Sequence, residues 1–167
     1  AEERLHQLDE QKDALRELYK PSTDKPEVSF YQGKEGVKTV IMDTLAQKPS
    51  ETLSFASGSA VVGFDPAFIQ QYFNKRVSMK IPTKGIAPGS ISLKGRFTEE
   101  VNKKELRQLR FLPAELDTLQ HEIEIYGNNV AFTSMKPGDE HGIIIRSKTI
   151  AEAMREIHSA LWERLEK

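Results

Sequence analysis

The 167-residue chain contains no cysteine. That excludes a disulfide framework, a thiolate zinc site and a cysteine nucleophile, and it suits a reducing cytoplasm, the expected location. Long apolar runs are missing as well. None approaches the roughly 18–20 residues that span a bilayer, and the opening AEERLHQLDEQK is charged where a signal peptide is apolar, so no membrane partner is expected. An excess of one charge sign is also lacking. Twenty-four Lys and Arg against 25 Asp and Glu leave a net −1, which gives the chain as a whole no electrostatic case for nucleic acid. Only the distribution is uneven. Residues 75–110 carry ten Lys or Arg against three Glu, and residues 111–142 carry six Asp or Glu against one Lys. The plain reading is a set of solvated polar faces; attraction of an anionic ligand to the basic stretch is the alternative.

The motifs of common chemistries are absent too. Gly33 and Gly36 stand as GKEG, which is neither GxGxxG nor a Walker loop, and no GxSxG elbow occurs. Ser57-Gly58-Ser59 follows a strand pattern and exposes hydroxyls, but no neighbouring base activates them. The four histidines (His6, His121, His141, His158) form no HxH, HxxxH or HExxH pair, so neither a metal nor another cofactor is expected.

What is present is a soluble globular composition, 38% hydrophobic and 29% charged. Residues 1–20 predict a helix with a heptad-like stripe of Leu5, Leu8, Leu15, Leu18 and Tyr19, either packed on its own domain or pairing between two chains. The stretch 21–26, with Pro21 and Pro26, ends it and forms a linker. Residues 27–167 then make one domain. Strands are expected at 27–31, 52–56, 80–87 and 108–112, separated by helices that carry Val37, Val40, Ile41 and Leu45, then Phe68, Ile69, Tyr72, Phe73 and Val77, then Val101 and Leu106. A hairpin follows at 121–126 and 130–135 around Gly127-Asn128-Asn129. A strand at 142–146 leads to a last helix with Ile150, Ala151, Met154, Ile157, Leu161 and Leu165 inward, capped by Ser147. Alternation of strand and helix implies a three-layer α/β/α fold around a mixed, mostly parallel sheet, with the hairpin added to it. The first residue is Ala rather than Met, so the natural protein is expected to extend upstream.

One spacing invites a catalytic test. Phospholipase D-type enzymes use HxKxxxxD, with histidine attacking phosphorus and lysine neutralising phosphate charge. Here His121 leads into Ile123 at the lysine position and Asn128 at the aspartate position. Losing the cation removes what a phosphodiester needs, so no enzyme activity is expected.

The stretches PEVSFYQGKEGVKTVIMDTL, KRVSMKIPTKGIAP, ELRQLRFLP, EIEIYGNNVAFTSM and GIIIRSKTIAEAMREIHSALW resemble the effector domains of TrmB-family transcription regulators over roughly residues 24–165. That resemblance implies a phospholipase D-like fold without the catalytic motif, preceded by a coiled-coil linker helix and, upstream of this chain, a DNA-binding winged helix. It implies a homodimer that contacts DNA through the missing domain and responds to a small-molecule effector. The β-domain that helps archaeal members hold sugars is expected to be absent. An effector pocket is expected beyond the carboxyl ends of the central strands, drawing on Tyr31, Gly33, Ser57, Gly58, Ser59, Lys84, Gly85, Arg110, Glu122 and Tyr126. Leu5, Leu8, Leu15, Leu18 and Tyr19 are the candidate dimerisation residues. A structural dimerisation module without a ligand and a degenerate phosphodiesterase are the alternatives.

Overall fold

The computed structural model describes residues 25–89, 97–113 and 119–165. The expected linker helix, with its candidate dimerisation residues Leu5, Leu8, Leu15, Leu18 and Tyr19, lies outside the described residues. Among the described residues seven strands, β1 (Glu27–Gln32), β2 (Thr52–Phe55), β3 (Thr83–Pro88), β4 (Arg107–Leu112), β5 (Glu122–Tyr126), β6 (Asn129–Ser134) and β7 (His141–Arg146), form one sheet in the order β1-β7-β6-β5-β2-β3-β4. The described helices that connect or follow them are α1 (Gly33–Ala46), α2 (Ser59–Gly63), α3 (Pro66–Ser78), α4 (Glu99–Lys104) and α5 (Lys148–Trp162).

The sheet is mixed, as expected, but it is not mostly parallel in its pairing. β2 with β3 and β3 with β4 are parallel; the other four neighbouring pairs are antiparallel. Five strands do point the same way. The β5–β6 hairpin and β7 are inserted between β1 and β2 rather than added at an edge, so the two reversed strands, β5 and β7, separate the others. Strand direction was legible from the alternation; neighbours were not, because β1 pairs with the distant β7, Phe30 opposite Ile143.

Local signals account for most helix boundaries. Asp65 accepts from the Ala67 backbone N–H at 2.7 Å ahead of Pro66, Thr98 accepts from Val101 at 3.3 Å and Ser147 from Ile150 at 3.4 Å, each satisfying a donor at a helix start. Two inward assignments fail. Leu106 follows the end of α4 with φ +51° and is 38% exposed, because the helix stops at Lys104. Ile157 is 56% exposed; the buried stripe of α5 runs instead through Ala151 and His158. The short α2, within what reads as a turn cluster, was not foreseen.

Side chains alternate across the sheet. Leu53, Phe55, Ile86, Ile125 and Val130 meet Ala151, with Ile150, Met154, Leu161 and Trp162 of α5 packed alongside. On the other face α1 brings Val40 against Tyr126, Ala131 and Ile144, while Val37 joins Phe64, Ile69 and Met135. Gly142 permits that approach: a Cβ there would stand 2.7 Å from Val40. Asp43 ties α1 down, accepting from Tyr126 Oη at 2.8 Å and from Arg146 at 3.1 Å. No helix among the described residues is long and apolar enough to cross a membrane.

Candidate functional site

On the face covered by α1 and α3, the strands carry short side chains. Ser54 of β2, Gly85 and Ala87 of β3, and Ala131 and Thr133 of β6 leave space beneath the helices, and a cavity of about 140 Å³ occupies it. Its walls include Ile69, Tyr72, Phe73 and Arg76 of α3, Leu109 and Phe111 of β4, and Glu122 and Glu124 of β5. The cavity runs along the sheet from the carboxyl ends of β2 and β3, the region expected for a pocket in a fold of this kind.

Two carboxylates project into it from one strand, because residues two apart share a face. Glu122 is the better satisfied. It accepts from the Ser57 hydroxyl at 2.8 Å, the Ser57 backbone N–H at 3.0 Å and the Ala60 N–H at 3.4 Å, and so pins the turn that opens α2, where Gly58 takes φ +78°. Burial raises its pKa and these hydrogen bonds oppose the rise. Glu124 has no such set. Its Oε2 atom is buried without a hydrogen-bond partner among the described residues. Burial first, and the like charge of Glu122 second, push its pKa up to about 8, against the pull of Arg76 and Arg107. The shift favours the protonated form beyond the ordinary carboxylate range.

The cations at this site are committed elsewhere. Buried Arg76 donates to the backbone carbonyls of Ile81 (2.7 Å) and Glu105, holding the chain that enters β3 and β4. Arg107 pairs with the Glu105 carboxylate and lies 4.5 Å and 4.6 Å from the ring centres of Phe73 and Phe97. Tyr72 shares a 3.1 Å hydrogen bond with Thr44 of α1, and burial raises its pKa. Among the described residues, no three His, Asp or Glu side chains converge as a metal ion would require.

Of the residues singled out from the sequence, Gly58, Gly85 and Glu122 line the cavity, with Ser57 and Ser59 in the turn that Glu122 holds. The others are placed apart. Tyr31 packs beside Tyr126 and Ile144, and Tyr126 is spent on Asp43. The Gly33 N–H donates to the Glu140 carbonyl at 2.7 Å. Lys84 pairs with Glu51 at 3.7 Å, and Arg110 donates to the Trp162 carbonyl and lies over its ring. Glu124, Arg76, Arg107 and Tyr72 were missed. The available signals were the two Glu spaced by two in EIEIY, and an arginine seven residues after Ile69 on the inward stripe of α3.

The positions of the phosphodiesterase spacing are dispersed in character. The His121 ring meets that of His141 at a tilt of 57°, ring centres 5.5 Å apart. Ile123 packs against the apolar cluster beneath α5, and Asn128 is exposed in the hairpin turn, its carbonyl accepting from Ser147.

No protein-family model matches the chain, and no curated protein does. Similarity lies in the fold. TrmBL2, an archaeal chromatin protein with a novel mode of DNA binding, matches with a TM-score of 0.61 and 19% identity over 99% of this chain. This chain spans 65% of that one. NucT from Helicobacter pylori matches with a TM-score of 0.58 and 10% identity, covering 84% of this chain and 98% of NucT. At these identities what is shared is the fold.

Proposed function

We propose that this chain is the effector-sensing and dimerisation domain of a TrmB-like transcription regulator, of three-layer, phospholipase D-like architecture, reaching DNA through a domain outside the chain. The fold shared with TrmBL2 and NucT supports the architecture. One observation carries the sensing half: a cavity between sheet and helices into which an unsatisfied buried carboxyl projects. A fold selected for stability alone fills such a space or pairs such a group. The same site argues against phosphoryl chemistry. It presents two carboxylates, the guanidinium groups beside them are engaged, and the lysine position of HxKxxxxD is an apolar isoleucine.

A thermal-shift screen against a broad metabolite panel tests this reading. At least one metabolite is expected to raise the Tm, and the same compound should change transcription from a regulated promoter when the natural full-length protein is used. A panel without a stabiliser contradicts sensing. Hydrolysis of a generic phosphodiester that is lost in His121→Ala contradicts the non-enzymatic half.

One observation favours the structural dimerisation module as a second reading. Val28 and Phe30 on edge strand β1 are 62% and 63% exposed, an apolar pair suited to a second copy. Sedimentation of wild type and Phe30→Ser distinguishes it: a dimer lost on substitution, with no metabolite stabilising the protein, selects the module.

A further inference from the structure

The chemistry of the cavity narrows what it can hold. The groups facing Glu124 are Glu122 and Tyr126 on its own strand, Tyr72 and Arg76 from α3, and Arg107 from β4; α1 contributes the neutral Thr44. The two cations, Arg76 and Arg107, stand against three carboxyl groups, those of Glu105, Glu122 and Glu124: Arg107 pairs with Glu105, and Arg76, its donors on backbone carbonyls, acts on Glu124 and Glu105 through its charge. Counted this way, the site is balanced with Glu124 neutral and short of one positive charge with Glu124 ionised. An anionic ligand meets two carboxyl groups and guanidinium groups already engaged. A monocation that brings its own N–H donors meets the buried Oε2. The remaining walls, among them Val40, Ile69 and Phe111, are apolar. The volume, about 140 Å³, is close to that of an engineered cavity of roughly 150 Å³ that admits benzene.

We infer that the cavity binds a small primary ammonium compound, its ammonium group donating to Glu124 and its hydrocarbon part lying among Val40, Ile69 and Phe111. This rests on the cavity being an effector pocket and names the class of effector. The cation replaces the proton that Glu124 holds, so binding releases one proton. Affinity then rises by about tenfold per pH unit from pH 6 and levels near the point where Glu124 ionises unaided.

Calorimetric titration with n-butylamine, n-butanol and butyrate tests this on the chain and on Glu124→Gln, at pH 6, 7 and 8 and in two buffers of different ionisation enthalpy. The expected result is binding of butylammonium in preference to the other two, with uptake of about one proton by the buffer at pH 6 and 7. Glu124→Gln should weaken the amine at least about tenfold at pH 8 and leave butanol little changed. Butanol or butyrate binding as tightly as the amine, or amine binding unaffected by Glu124→Gln, overturns the inference. Failure of all three probes while some metabolite in the wider panel still raises the Tm overturns the ligand class and leaves sensing intact; failure of every compound overturns both. If Glu124→Gln does not fold, proton release by the wild type and the affinity of Glu124→Asp decide in its place, and amine binding without proton release overturns the inference.

Discussion

The two faces of this sheet are built from alternate residues of the same strands, and they do opposite things. Toward α5, Leu53, Phe55, Ile86, Ile125 and Val130 form an apolar cluster. Toward α1 and α3, their immediate neighbours Ser54, Gly85, Glu124 and Ala131 leave a cavity and bring ionisable groups into it. One residue's difference in register separates a mostly apolar surface from one that opens a cavity and lines it with carboxyl groups; buried polar atoms without a partner among the described residues occur on both sides, Glu124 Oε2 at the cavity, Arg110 Nε and His158 Nε2 toward α5. The polar face is a cost to stability that a purely structural sheet has no reason to carry. It is therefore where function is to be sought, and the α5 face is where folding is anchored.

Substitutions on the two faces sharpen the contrast. The largest effect is expected from Phe55→Ala, which removes a buried ring from the α5 cluster, where it also meets His158 edge-on at 5.2 Å. Urea unfolding should show a loss of about 3–5 kcal/mol. Ser54→Ala, one residue away on the cavity face, should cost about 1 kcal/mol or less; similar losses at both positions break the comparison. Next comes Asp43→Ala. It strands the Tyr126 hydroxyl and Arg146 and should cost about 2–3 kcal/mol. Burial alone raises the Asp43 pKa, but the hydrogen bonds from Arg146 and Tyr126 outweigh it and the net shift is downward. Its contribution is therefore present above the ordinary carboxylate pKa and lost as pH falls through the lowered folded value, a loss that Asp43→Ala should not show.

The effect most specific to the cavity is a pH dependence. Glu124 has its pKa raised to about 8 from an ordinary value of 4.5, so the native state holds a proton that the unfolded chain gives up. That contribution to stability is complete below the ordinary value and is lost as pH climbs to about 8. The Tm of wild type should fall between pH 5 and 8, and the Tm of Glu124→Gln should fall by less. Parallel curves refute the assignment. His158 runs the other way: burial lowers its pKa, so its neutral form favours the fold and stability is lost as pH drops below its ordinary value of 6.5.

Elements with local causes were legible in the sequence. Asp65-Pro66, Thr98 and Ser147 cap their helices through side-chain oxygens that act within three residues, and Gly127-Asn128 turns the hairpin. The sheet order was not, because strand neighbours are decided by which apolar faces meet after the chain has folded back. That concealed part of the site. Alternation in EIEIY reads as a strand with one face in water, which leaves Glu124 on the solvent side, while Glu122 was reached only through its place near a strand end. Only at the centre of the order, with helices against both faces, do the glutamates become interior. Arg76 was obscured for a related reason: an arginine on an inward stripe is tolerated when carbonyls such as those of Ile81 and Glu105 receive its donors, and those partners lie on separate elements. Gly85 and Glu122 were found as open backbone and charge near strand ends, while Lys84 and Arg110, chosen on the same grounds, point to the other face.

In the proposed function, the cavity face is the one that receives a ligand. The direct measurement is two-dimensional amide NMR of the chain titrated with whichever metabolite raises its Tm most. Shifts should concentrate at Ser54, Gly85, Glu124, Ala131 and Thr133, with the α5-facing neighbours Leu53, Ile86 and Phe132 less affected. Shifts centred on the α5 face or on edge strand β1, with the cavity residues unmoved, contradict it.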